Sequence, residues 1–152
     1  MPPWITIAAS ELPISPAEIE LLRSYKPETY DDFVGECIAN GIAYVRGVIS
    51  ARAGFRLDAD RTLIPPELKR QALWLIIESV KVDASVGLAL TEDQVRMCKT
   101  AREDLQRVVD GAFAVSAPLN PEPSAEIQSG TGAVEIITPR TRLFGRDSTS
   151  GL

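Results

Sequence analysis

Few residues in this chain have types and spacing suited to chemistry, and each set is tested first. Asp58-x-Asp60-x-Thr62 begins like a calcium loop. Its sixth position is Leu63 where the turn needs glycine, and its twelfth is Lys69 where a bidentate glutamate belongs, so a solvated turn is expected. Asp31 and Asp32 are neighbours, and adjacent helical positions diverge by about 100°. They suit the first turn of a helix, where the dipole favours negative charge, better than a paired acid and base. Gly130-Thr131-Gly132 lacks a third glycine and a following helix, so no dinucleotide site is expected. Cys37 and Cys98 fall on or near apolar stripes and are expected to be buried, inert thiols. Two cysteines alone cannot close a structural zinc site.

Composition narrows the chemistry further. The 152 residues include no histidine, which removes Ser-His and Cys-His couples, an imidazole base and imidazole metal ligands. An enzyme would need a pocket holding a carboxylate of strongly shifted pKa. No candidate for it is visible, so a protein without catalysis, cofactor or metal is expected. The longest apolar run, Ala72–Ile77, is far short of the ~20 residues that span a bilayer. With no signal-peptide pattern at the N-terminus, an intracellular protein with reduced cysteines is expected. The net charge of −5 argues against duplex DNA binding over the whole surface.

The elements that carry these residues read as all-α. Ser15-x-x-Glu18 is a capping box with Pro16 at the first helical position, Ile19 and Leu22 form a stripe, and Pro27 ends that helix. A second helix is expected from Pro27 or Thr29 to Ala53, with Val34, Ile38, Ile42 (or Gly41), Val45 and Ile49 inward and Gly54 as a left-handed cap. After a connection over 55–64, a third helix starts at Pro65-Pro66-Glu67 and runs to about Ala84. It is apolar on most sides and therefore central. Thr91-x-x-Gln94 caps a fourth, with Val95, Cys98, Ala101 (or Arg102), Leu105, Val108 (or Val109) and Ala112 inward and Arg96, Lys99, Glu103 and Arg107 in water. The expected fold is a four-helix bundle-like domain over 15–112, preceded by an extended segment over 1–14.

Residues 113–152 differ in kind. Ala117–Ser124 contains Pro118, Pro121 and Pro123 and reads as an extended linker. Gly132–Ile137 is a short β-prone run. Arg140–Leu152 then holds three arginines and one acid, against 13 basic and 17 acidic residues over 1–112. As a nucleic-acid arm this tail is small, broken by apolar residues and attached to an acidic body; as a plain disordered tail it fits by composition. A docking arm accounts for more. Val134, Ile136 and Ile137 suit addition to a partner's sheet edge. Leu143 and Phe144 would each contribute ~1.5–3 kcal/mol on burial. Arg140, Arg142 and Arg146 can fork onto carboxylates, and Asp147 completes the set of expected partner-binding residues.

Three stretches resemble a known family, the head–tail connector (adaptor, or head-completion) proteins of tailed phages, of the Mu-like type. The first is Ile49-x-x-Arg52-x-Gly54-Phe55-x-Leu57 followed by Ile64-Pro65-Pro66-x-Leu68-x-x-x-Ala72. The second is Val95-x-x-x-Lys99-x-Ala101-x-x-x-Leu105-x-x-Val108-x-x-Gly111. The third is Leu143–Leu152, which is similar to the family's Arg-Asp-Ser ending. Together they cover about 28–112 and the last ten residues. Leu152 stands where the family has a terminal aromatic, and residues 1–14 are longer than its pattern.

The resemblance implies a structural protein of the virion neck, assembled in the host cytoplasm. It implies a homo-oligomeric ring, typically of twelve copies, between the portal protein and the next neck or tail protein. Genomic DNA would pass through its lumen without specific binding, and the C-terminal arm would reach the portal or a neighbouring subunit. An acidic lumen would let DNA slide without sticking, and many weak arms on one ring would act with avidity. The rival reading is a cellular, non-enzymatic adaptor or regulatory helical domain that binds one partner through its tail.

Overall fold

Four helices and two short 3-10 turns follow one another in a computed structural model of the chain, which describes residues 3–25, 29–84 and 88–123. Helix α1 spans Pro16–Tyr25. Its capping box is formed: Ser15 Oγ and the Ser15 amide donate to Glu18 Oε2 at 2.9 and 3.0 Å, and the Glu18 amide donates back to Ser15 Oγ at 3.3 Å. Leu22 is its buried residue. Helix α2 spans Tyr30–Ser50, with Asp31 and Asp32 exposed in its first turn. Its buried face is Val34, Cys37, Gly41, Ile42, Val45, Arg46 and Ile49, with Ile38 half-buried beside it.

The expected extension of α2 to Ala53 is corrected. The helix stops at Ser50 because the chain turns over 51–54, where Gly54 takes φ +76°. The start of the third helix is also corrected. Pro66–Leu68 is a 3-10 turn, since prolines at 65 and 66 supply no amide hydrogens, and helix α3 runs over Lys69–Asp83. Ala72, Ile76, Ile77 and Val80 of α3 have no exposed surface, so this helix is the central one.

Helix α4, Glu92–Val109, opens on the expected Thr91 box. The Gln94 amide donates to Thr91 Oγ1 at 3.3 Å and the Thr91 amide to Gln94 Oε1 at 3.1 Å. Cys98, Ala101, Leu105 and Val108 face inward, and Arg96, Lys99, Glu103 and Arg107 are exposed. Two expected stripe members do not. Val95 is 53% exposed, because Gln94 takes the inward position of the first turn. Ala112 lies past the end of α4, after Gly111 turns the chain at φ +75°.

Helices α2, α3 and α4 pack on one another. The middle helix α3 runs antiparallel to α4: Lys81 meets Gln94 near one end, and Gln71 donates to Asp104 at 3.0 Å near the other. Helix α1 joins this trio through Leu22 in the shared core, the Glu18–Lys81 ion pair and the Arg23 guanidinium over the Tyr30 ring.

The segments outside the helices complete the core. Trp4, Ile7 and Leu12 are buried, and Ile5 exchanges backbone hydrogen bonds with Ile64 at 2.8 and 2.9 Å. The first part of the expected arm, residues 113–123, lies along the body. Phe113 and Val115 pack against the core, the Ala59 amide donates to Asn120 O, and the Glu122 amide donates to Leu57 O, both at 2.8 Å. Among the described residues these contacts are isolated β-bridges and no strand is formed. The β-prone run over 132–137 lies outside the described residues.

Candidate interaction surface

Two buried cations organise the ends of the helical body. Arg46 lies one residue past Val45 on the inward face of α2 and is 6% exposed. A cation there must find acceptors, since burying an unsatisfied guanidinium is prohibitive. It finds backbone. Nη1 donates to Asp60 O at 2.9 Å and Leu63 O at 2.8 Å, and Nη2 donates to Asp58 O at 2.7 Å. Glu122 of the returning strap stands 3.6 Å from Nη2, and the Trp4 ring lies 5.9 Å from the guanidinium carbon.

This geometry corrects the expectation of a solvated turn at 58–60. Asp58 is 3% exposed. Its Oδ1 accepts from the Asp60 amide at 3.0 Å and its Oδ2 from the Asn120 amide at 3.4 Å. The carboxylate therefore ties the connection to the strap. Asp60 stays at the surface, where the Thr62 amide and hydroxyl hold its carboxyl below the usual carboxylate range. Trp4 Nε1 donates to Ser116 O at 3.0 Å and closes the same end.

Lys81 holds the other end. Its side chain is 1% exposed, and Nζ donates to Glu18 Oε1 at 2.7 Å and Gln94 Oε1 at 2.9 Å. Glu18 and Gln94 are the third residues of the two capping boxes. One ammonium thus joins the N-terminus of α1 to that of α4. The hydrogen bond from Lys81, with those from Ser15, holds the Glu18 carboxyl below its ordinary range.

The exposed face between α2 and α4 carries an open groove. Tyr44, Gly47 and Val48 of α2 and Ala51 just past its end face Leu105 and Val109 of α4 across a space of ≈ 480 Å³. It continues past Tyr44 and Arg102 into a second hollow of ≈ 290 Å³ bounded by Asn40, Leu75 and Glu78. Arg102, which lines both hollows, pairs with Glu78 of the second. Tyr44 is 52% exposed, so the groove is apolar in its floor and accessible from water.

No group of three or more His, Cys, Asp or Glu side chains is placed to hold a metal among the described residues. Both cysteines are buried. Burial pushes the Cys98 thiol up, and its Sγ lies 3.4 Å from Trp74 O, an environment opposed to thiolate chemistry. Among the described residues no helix is long and apolar enough to cross a membrane.

All the expected partner-binding residues, Val134 through Asp147, lie outside the described residues. Arg46, Lys81 and the α2–α4 groove were not singled out by the sequence, and Asp58 was read there only as part of a solvated turn. For the two cations a signal exists: each interrupts an apolar stripe, Arg46 between Val45 and Ile49 and Lys81 directly after Val80. For the groove the signal is the exposed Tyr44–Gly47–Val48–Ala51 row, at spacings of three and four residues.

No family model, curated protein or solved structure matches this chain.

Proposed function

We propose that the chain is a structural head–tail adaptor of a tailed phage. It would form a ring between the portal protein and the next neck or tail protein and extend the DNA exit channel. In this reading the described residues are a bundle-like body and the C-terminal arm is the docking element. Residues 134–147 bind the portal or a neighbouring subunit. The observation that supports the reading is how two of the three resembling stretches meet in the fold. Ile49, Leu68, Ala72, Leu105 and Val108, drawn from 49–72 and 95–111, share one buried core. The likeness therefore rests on a packed unit, with matches that are neighbours in space.

Charge supports the same role. Asp31 and Asp32 on α2 are among the carboxylates that the body exposes. An acidic wall suits DNA that must slide past. The protein acts by assembly and does no chemistry.

The test is assembly. Mass photometry of the purified 16.5 kDa chain, alone and with DNA-filled heads that carry portal but no connector, is expected to detect a ring bound at the portal vertex. Deleting residues 139–152 is expected to leave a folded body that no longer joins the heads. A full-length chain that stays a monomer or dimer and ignores the heads refutes the reading. A small complex with one host protein would then favour the cellular adaptor.

A further inference from the structure

We propose that the α2–α4 groove is the receptor for the C-terminal segment 140–146 of a neighbouring copy. The inference rests on the reading of that segment as a docking element and names its seat. Three observations lead to it.

The first is fit of chemistry. The groove floor is apolar, with half-buried Val48 and Val109 over the buried Leu105, and Leu143 and Phe144 are the large apolar side chains of the tail. The exposed Tyr44 ring offers Phe144 an aromatic partner.

The second is charge at matched spacing. Glu36 lies one turn before Asn40 on the same face of α2 and is exposed. Asp110 closes the other end, accepting from Gln106 Nε2 at 3.1 Å. The midpoint cation, Arg102, is already paired with Glu78. From Glu36 to the helix end at Ser50 the α2 wall runs roughly 21 Å at about 1.5 Å per residue. Arg140 to Arg146 reaches up to about 20 Å at about 3.3 Å per residue. Two arginines flanking two apolar residues thus match two acids flanking an apolar floor.

The third is where the chain leaves. Glu122 is tied to Leu57 and stands beside Arg46. Arg46 is turned inward, away from the exposed row that lines the groove. Residues 124–139 reach up to about 50 Å, enough to cross to an adjacent copy. Departure on the far side of α2 favours a neighbour's groove over the chain's own.

Gly47 provides the decisive variant. A Cβ built there meets nothing within 4 Å, whereas one at Gly41 on the buried face meets Ile76. Gly47→Lys therefore fills the groove with a cation that repels arginine, without disturbing the body. Gly35→Lys, equally open and outside the groove, is its control.

The experiment uses the full chain carrying Phe144→p-benzoylphenylalanine, mixed from heavy- and light-isotope preparations and photocrosslinked. Mixed-isotope products joining position 144 to residues 44–51 or 102–109 are expected. Their yield should fall about tenfold with Gly47→Lys, equivalent to about 1.4 kcal/mol of lost affinity, and stay level with Gly35→Lys. Products confined to one copy, products on another face, or a yield unchanged by Gly47→Lys would overturn the proposal. Binding to portal-bearing heads is scored separately. Groove crosslinks without head binding support this proposal while refuting the portal reading, and head binding without groove crosslinks does the reverse.

Discussion

The two ends of the helical body each bury one cation, and they satisfy it by opposite means. At the Arg46 end the acceptors are three backbone carbonyls of a connection with no regular structure. At the Lys81 end they are two side chains already engaged in capping helices. The difference separates what each cation does. Lys81 joins elements that are formed by local rules, whereas Arg46 gives the 55–64 connection its conformation. A planar fork with several donors suits scattered carbonyls, and a compact ammonium suits two oxygens that converge.

Six substitutions at five positions sharpen or break this comparison. Arg46→Met is expected to have the largest effect, a loss of about 3–5 kcal/mol in urea unfolding, because buried carbonyls lose a charged donor. Arg46→Lys should recover only part of it, since one ammonium cannot reach all three oxygens. If Lys restores full stability, the fork is not what holds the connection.

Lys81→Met comes next, at about 2 kcal/mol, because Glu18 is partly exposed and keeps water once its partner is gone. This end also carries a pH signature. The Glu18 carboxyl is lowered in the folded state, so its contribution is present above its ordinary value of 4.5 and is lost as pH falls through the lowered value. Acid titration of stability should show that loss in the parent chain and a weaker one in Lys81→Met. An identical acid limb in both would remove the Lys81 bridge from the account.

Thr91→Ala should cost about 1 kcal/mol as a lost N-cap, and thermal melts can resolve it. A much larger loss would mean that the cap and the Lys81 contact through Gln94 form one cooperative unit. The smallest pair of changes compares the two faces of α2. Gly41→Ala is expected to destabilise by about 1 kcal/mol net. Crowding Ile76 outweighs the better helix propensity of alanine. Gly47→Ala, into open space, should stabilise by about 0.5–1 kcal/mol.

The legible parts of the fold were those governed by neighbours in sequence. Both capping boxes, the inward rows of α2 and α4 and the left-handed Gly54 follow from spacings of three and four residues and from glycine's freedom at positive φ. Two of the errors came where that locality ends. Val95 continues the stripe in sequence and is exposed, because Lys81 draws Gln94 inward in its place. Asp58 has the composition of a surface turn and is buried, because Asn120 and Arg46, far along the chain, supply its surroundings.

By itself the sequence determined that the described residues are mostly helical, where three of the four helices start, which residues face inward on two of them, and that a body with excess acid precedes a basic ending. Hydrophobic periodicity and capping act over a single turn, so a linear reading contains them. Only the tertiary structure decided that residues 3–14 and 113–123 complete the core, that two buried cations anchor its ends, and that α2 and α4 leave an open groove between them. Each of those features depends on which distant groups arrive at the same place to replace water, and spacing along the chain does not encode that directly.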